Sequence, residues 1–219
     1  MLTSIVIDHL TKSVQGNRIG LAYIYCGYQR QLEQTPVNLL ASLLGQLVQS
    51  RSSISDEVKN LYKCHIGRNS RPTLDEVSTA LHSEIGRYTR VNILVDALDE
   101  CTVEDGMRQV LLSRLRVLQS IKTVSLMVTS RSIPTIQQQF QSALQLEIRA
   151  SDEDVQRYLE GQMDRLASCV TRKAALQDEI ISKIINTVDG MYVSLAEIEK
   201  HIRLIFVLGF FWLDFIWNR

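Results

Sequence analysis

The clearest indication of the fold is one stretch of the sequence, Val91-Asn92-Ile93-Leu94-Val95-Asp96-Ala97-Leu98-Asp99-Glu100. Its first part is apolar and rich in β-branched residues, which predicts a strand that is buried on both faces. The strand leads directly into acidic residues. Because ligands of parallel α/β sheets bind beyond the carboxyl ends of the strands, these acids lie where a ligand would be expected.

Strand-like and helical segments alternate on both sides of this stretch. Residues 19–26 and 124–129 are apolar and predict two more buried strands, and residues 144–148 predict a weaker one. Apolar spacing and capping residues predict helices over residues 2–12, 36–48, 55–65, 74–88 and 104–120, with a short turn at Ile133-Pro134. This alternation predicts an α/β fold with a mostly parallel sheet and helices on both faces.

The pattern changes after residue 150. Only helices are predicted there, near residues 152–166, 173–187 and 192–208. We therefore expect an α/β core over residues 1–150 and the start of a helical subdomain over 151–203. Residues 204–219 form an aromatic-rich tail whose apolar run is too short for a membrane span of about twenty residues. We expect this tail to pack on the helical region or to be an aberrant end, and we expect no membrane insertion.

Composition excludes several classes of function. The sequence contains 24 Lys and Arg residues and 24 Asp and Glu residues. It therefore has no excess of positive charge that would favour binding to a nucleic acid. The four cysteines form no CxxC pair, which disfavours a thiolate zinc site or a disulfide scaffold and suits a reducing intracellular location, here expected to be the cytoplasm. No G-x-S-x-G motif is present, and the histidines have no motif context. An acyl-transfer site is therefore not expected.

Two predicted strands end in residues that could act on a phosphorylated ligand. Asp96 at a strand end could hold Mg²⁺, and a second acid, Asp99 or Glu100, could orient or deprotonate a water. Arg131 follows the strand at 124–129 and could bind a terminal phosphate through its charged fork. The alternative is equally open on the residues alone: the acids cap a helix and face solvent, and Arg131 forms only a salt bridge.

Longer segments resemble a known family. Residues Val91–Glu100 resemble the Walker B segment of NACHT-type P-loop NTPases, which belong to the STAND class of signal-transduction proteins and include fungal NOD-like receptors and nephrocystin-type N-terminal domains. Residues Leu126–Pro134 resemble the sensor 1 strand of the same family. Further similarity lies in Leu21–Cys26, Thr35–Leu43, Ser151–Tyr158 and Val188–Met191. The resemblance implies a P-loop NTPase-type parallel sheet.

The resemblance also implies roles and ligands. Asp96 would be the magnesium-associated acid, and Asp99 and Glu100 would supply the catalytic carboxylate, with Glu100 as the preferred base. Arg131 would be the sensor 1 arginine near the γ-phosphate of Mg-ATP or Mg-GTP. The implied function is a nucleotide-dependent switch of an oligomerising receptor or scaffold, whose protein partners or further copies bind through flanking domains.

One part of the family pattern is missing. The sequence contains no GxxxxGK[ST] loop, and Leu2–Ile7 resembles the helix that normally follows the lysine of that loop. We therefore expect the chain to begin just downstream of the phosphate-binding loop and the sheet to lack its first, Walker A strand. Thr3 or Ser4 would replace the magnesium-binding hydroxyl imperfectly. The chain would then bind and hydrolyse little nucleotide alone, and a non-catalytic interaction module or a gene-model remnant remains the alternative.

Overall fold

The computed structural model describes residues 2–13, 18–148, 151–162 and 173–188. The chain divides into two compact units, Met1–Ala143 and Leu144–Arg219. The predicted division at residue 150 stays a prediction. The predicted helix near 192–208 and the aromatic tail at 204–219 lie outside the described residues.

The first unit is built on a three-stranded parallel sheet. Its strands are β1 (Ile19–Tyr25), β2 (Arg90–Asp96) and β3 (Val124–Val128), in the order β1-β2-β3. The register pairs Tyr25 with Asp96 and Val95 with Val128, so all three carboxyl ends meet at one edge. The predicted α/β class with a parallel sheet is confirmed.

The burial of each strand follows its position in the sheet. The central strand β2 is buried at every position from Val91 to Val95. Strand β1 alternates between buried and half-buried residues, and β3 is half-buried after Val124. The continuous apolar run that predicted a doubly covered strand therefore belongs to the middle of the sheet, as the physics of parallel sheets requires.

The described part of the first unit also contains six α-helices. Their bounds are α1 Leu2–Ser13, α2 Pro36–Gln49, α3 Asp56–Ile66, α4 Leu74–Ile85, α5 Met107–Gln119 and α6 Pro134–Gln139. Thr35, Ser55 and Thr73 cap α2, α3 and α4 by accepting a backbone N–H through their hydroxyls, and Glu76 completes a capping box with Thr73. Helix α2 packs on β1 and α4.

Close packing of α2 on β1 depends on Gly20. A Cβ atom at this position would lie 2.8 Å from Cδ2 of Leu47, a side chain that is fully buried. The absence of a side chain on Gly20 therefore lets the helix approach the strand. The buried core around this contact includes Leu40, Leu43, Leu47, Leu81, Ile85, Ile93, Leu111 and Leu115.

Two sequence predictions were wrong. Residues 144–148 form no strand, and Leu144, Leu146 and Ile148 are 102%, 82% and 61% exposed. Alternating apolar residues predict a strand only if a neighbouring strand pairs with them, and pairing cannot be read from five residues. The expected turn at Ile133-Pro134 opens helix α6 instead, because proline suits the first helical position and Ile136 is buried beneath it.

The described residues of the second unit form two helices after residue 150. Helices α7 (Asp152–Glu160) and α8 (Ala174–Val188) pack against each other. Ser151 caps α7 by accepting the N–H of Asp154. The predicted helix at 152–166 is described only as far as residue 162, where it has already ended. None of the helices in the described ranges combines the length and hydropathy that a membrane crossing requires.

Candidate functional site

Backbone hydrogen bonds continue past the strand ends and fix the carboxyl edge of the sheet. The N–H of Cys26 donates to the carbonyl of Asp96 at 3.0 Å, and the N–H of Thr129 donates to the carbonyl of Val95 at 2.9 Å. The N–H of Leu98 then returns to the carbonyl of Thr129 at 2.9 Å. The residues that follow β1, β2 and β3 are therefore held together rather than splayed apart.

Two threonine hydroxyls hold the carboxylate of Asp96. Oγ1 of Thr129 donates to Oδ1 of Asp96 at 2.7 Å, and Oγ1 of Thr3, on helix α1, donates to the same oxygen. Thr3 is 1% exposed, so its hydroxyl needs this partner. Oγ1 of Thr129 also accepts the N–H of Ala97 at 3.0 Å. The acid at the end of β2 is thereby oriented from α1 and from β3.

Ala97 turns the chain sharply after Asp96. Its backbone is left-handed, with φ 52° and ψ 48°, a region that residues with a Cβ rarely occupy. A short 3₁₀ turn over Leu98–Glu100 follows immediately. The N–H groups of Ala97 and Leu98 donate to the hydroxyl and the carbonyl of Thr129, and these bonds hold the turn and direct Asp99 toward the end of β3.

Asp99 and Arg131 form an ion pair at the end of β3. Oδ1 of Asp99 accepts the backbone N–H of Arg131 at 3.1 Å, and Oδ2 accepts its guanidinium Nε. Burial alone would raise the pKa of Asp99, but the hydrogen bonds and charge of Arg131 outweigh it and lower that pKa. The same contact raises the pKa of Arg131. Because its side chain is 73% exposed, the Arg131 guanidinium remains accessible to an anion from solvent.

Glu100 contacts a different part of the chain. Its Oε2 accepts the N–H of Tyr28 at 3.0 Å, and its carbonyl accepts Nε2 of Gln31 at 2.9 Å. Both partners lie between β1 and α2, so Glu100 joins that connection to the 3₁₀ turn Leu98–Glu100, which we call the acidic turn. Among the four predicted site residues, Asp99 and Arg131 contact each other directly. Asp96 is joined to the same edge through the Thr129 hydroxyl, and Glu100 binds the segment between β1 and α2.

Arg108 is a structural partner that the sequence pattern did not indicate. Its guanidinium donates to the carbonyls of Asp99 and Cys101, the latter at 3.1 Å through Nε. It therefore clamps the segment that carries Asp99 and Glu100 onto helix α5. Arginine is frequent on amphipathic helices, and nothing in its spacing distinguishes this one. Thr129, in contrast, could have been noticed as a hydroxyl at the end of an apolar strand.

Two cysteines lie behind the acidic turn. Sγ of Cys101 is 3.1 Å from Sγ of Cys26, within hydrogen-bond distance for sulfur, and both residues are buried. The contact with Cys26, together with the positive charge of Arg108, lowers the pKa of Cys101. The same contact, together with burial, raises the pKa of Cys26.

Asp96 and Thr3 together present oxygen atoms of the kind that magnesium binds. No group of three or more His, Cys, Asp or Glu side chains within the described ranges is arranged to hold a metal alone. Magnesium bound with phosphates, however, needs only one or two protein oxygens, the others coming from waters and the phosphates. The Thr3 hydroxyl on the Asp96 carboxylate supplies such a pair, since a hydroxyl can rotate to present its lone pairs.

Sequence comparison places this site within one family. The family model described as Nephrocystin 3, N-terminal, matches residues 1–131. The chain belongs to the nephrocystin 3 N-terminal family. The match covers Thr3, Asp96, Asp99, Glu100 and Arg131, so every residue of the candidate site lies within the nephrocystin 3 N-terminal region.

Other comparisons add little to the nephrocystin 3 assignment. No curated protein matches the chain. One solved structure, titled as the crystal structure of a DNA replication initiation factor, is similar with a TM-score of 0.35 and 14% sequence identity, over 89% of this chain and 57% of that chain. The chain thus spans 57% of the length of that structure, and a likeness of this strength supports no functional argument.

Proposed function

We propose that this nephrocystin-type domain carries the magnesium side and the arginine side of the nucleotide site of a NACHT-like, STAND-class signalling NTPase. In such a protein, nucleotide exchange and hydrolysis switch an oligomerising receptor or scaffold. One observation carries the proposal: Asp96, oriented by Thr3 and Thr129, lies at the same sheet edge as the Asp99–Arg131 ion pair.

The geometry supports a distinct role for each side chain. Asp96 and Thr3 would hold Mg²⁺, and the exposed Arg131 guanidinium would bind the terminal phosphate of ATP or GTP. Asp99, whose pKa is lowered by Arg131, stays ionised and orients that arginine. Glu100 remains our candidate for orienting or deprotonating a water, and it would have to release the Tyr28 N–H to do so.

We expect the chain to bind nucleotide weakly and to hydrolyse little of it alone. Phosphoryl transfer depends on positioning and charge stabilisation, and the sequence holds no GxxxxGK[ST] loop to supply backbone N–H groups and a lysine to the phosphates. We further propose a cytoplasmic protein that acts through protein partners or further copies of itself and not through nucleic acid, in line with its zero formal net charge.

A second candidate function is a non-catalytic interaction module. Glu100 favours it, because its carboxylate is engaged by the backbone of Tyr28 and its carbonyl by Gln31. In that case the acidic turn only supports the connection between β1 and α2. The two candidates differ in one respect that can be measured, which is whether Asp96 couples magnesium and nucleotide to stability.

A thermal-shift experiment separates them. The chain is heated with Mg-ATP, Mg-GTP, each nucleotide with EDTA, and magnesium alone, beside Asp96→Asn and the surface control Asp56→Asn. A ligand present at its Kd stabilises a protein by about 0.4 kcal/mol, so we expect a small, magnesium-dependent shift at millimolar nucleotide. Asp56→Asn should keep this shift, since Asp56 only pairs with Lys59 on the surface of α3.

The variants decide the outcome. Loss of the shift in Asp96→Asn supports the nucleotide site, and an equal shift in that variant refutes it. A shift of many degrees would refute our expectation of weak binding. If no nucleotide stabilises the chain at any concentration, the interaction module becomes the better proposal.

A further inference from the structure

Cys26 and Cys101 stand out among the groups that the proposed nucleotide site does not use. They are 75 positions apart in sequence, yet their sulfur atoms lie 3.1 Å apart, with 7% and 3% of the two residues exposed. A disulfide bond measures about 2.05 Å between its sulfurs, so closure needs a movement of about 1 Å shared by two side chains.

Among the described cysteines, Cys26 and Cys101 are the two that are buried. Cys64 is exposed on helix α3, and Cys169 lies outside the described residues. Cys26 directly follows β1, and Cys101 directly follows the 3₁₀ turn that carries Asp99 and Glu100. A bond between them would therefore join the end of β1 to the acidic turn.

We infer that Cys26 and Cys101 form an oxidisable dithiol site, in which hydrogen peroxide converts the two thiols into an intramolecular disulfide. The two cysteines lie where the end of β1 meets the acidic turn, and non-covalent contacts already hold this part of the chain in place. Glu100 binds the backbone of Tyr28, and Arg108 binds the carbonyl of Cys101. A disulfide bond between the two cysteines would hold this arrangement covalently for as long as the protein stays oxidised.

The chemistry proceeds in two steps. The Cys101 thiolate attacks one peroxide oxygen, the O–O bond breaks, and the departing hydroxide takes up the proton that Cys101 released and leaves as water. The resulting sulfenic acid is attacked at sulfur by Cys26, the S–O bond breaks, and hydroxide leaves as a second water with the Cys26 proton. Two thiols and one peroxide thus give one disulfide and two waters, with two electrons passing from the sulfurs to peroxide.

The burial of Cys26 and Cys101 favours a small oxidant. Hydrogen peroxide is a small molecule and needs only a brief local opening of the structure to reach residues that are a few per cent exposed. The hydrogen bond of Cys26 and the charge of Arg108 favour Cys101 as the attacking sulfur. In a reducing compartment such a bond forms transiently and is reversed by cellular dithiols, so it is a regulatory modification and not a structural staple.

The test uses the intact folded chain and one equivalent of hydrogen peroxide, the amount that the net reaction consumes. Free thiols are then alkylated, and the chain is digested without reduction and mapped by mass spectrometry. We expect a crosslinked peptide pair that contains Cys26 and Cys101, lighter by two hydrogen atoms, with alkylation retained at Cys64. Dithiothreitol should restore alkylation at both buried positions.

Variants and a physical readout complete the test. Cys64→Ser should form the crosslink as the wild type does, and Cys26→Ser and Cys101→Ser should lose it. Hydrogen exchange should slow in residues 27–31 and 97–101 after oxidation of the wild type, and should stay unchanged in Cys26→Ser. If peroxide oxidises Cys64 or Cys169 while Cys26 and Cys101 stay fully alkylated, or if the crosslink forms only in urea, the inference is wrong.

Discussion

Substituting Thr129 by valine tests how the acidic turn is held. The change keeps the shape of the side chain and removes one hydroxyl, which donates to Oδ1 of Asp96 at 2.7 Å and accepts the N–H of Ala97 at 3.0 Å. A hydrogen bond to a charged group contributes about 1.5–3 kcal/mol, and one between neutral groups about 0.5–1.5 kcal/mol. Asp96 keeps the hydroxyl of Thr3.

The structure therefore predicts that Thr129→Val lowers the free energy of unfolding by about 2–3 kcal/mol, since the remaining threonine and partial access of water offset some of the loss. Urea unfolding followed by circular dichroism measures this value, and an unchanged m-value confirms that the same transition is compared. Thr79→Val is the matched control, because the Thr79 hydroxyl is exposed and binds only the carbonyl of Asp75 in its own helix. A loss for Thr129→Val within about 0.5 kcal/mol of the control refutes the role assigned to this hydroxyl.

Two further predictions concern the ion pair and the core. The folded-state pKa of Asp99 is lowered, so its ionised form stabilises the fold above the unfolded pKa of about 3.9, and this contribution disappears as pH falls through the folded pKa. Asp99→Asn should therefore be less stable than the wild type at pH 7 and should approach the stability of the wild type in acid. A difference in urea midpoints that does not change with pH would contradict the ion pair. Gly20→Ala places a methyl 2.8 Å from Leu47 Cδ2 and should cost about 1–3 kcal/mol, which thermal unfolding detects, whereas an unchanged midpoint shows that α2 can shift freely.

The sequence predicted those features that depend on local pattern. The apolar run Val91–Val95 predicted the central strand, and the Thr73–Glu76 spacing predicted a capping box that the structure contains. Both follow from side-chain chemistry within a few residues of the chain. The position of Asp96 at the end of β2 followed from the same run.

Features that join distant segments were not predictable in the same way. The bond from Thr129 to Asp96 spans 33 positions and the Cys26–Cys101 contact spans 75, so each depends on strand order and register. The strand predicted at residues 144–148 is absent for a related reason, because a strand forms only where a partner strand pairs with it. The bond from the N–H of Tyr28 to the Glu100 carboxylate spans 72 positions and was not predictable either.

The left-handed backbone at Ala97 fixes the direction in which the chain leaves β2. Conformations of this kind cost of order 1–3 kcal/mol and persist only where neighbours enforce them, as the Thr129 hydroxyl does here. The orientation of Asp99 is thus settled during folding, before any anion arrives, and a bulky or branched residue at position 97 would release it. A glycine there would remove the tension but would also leave the turn free to open.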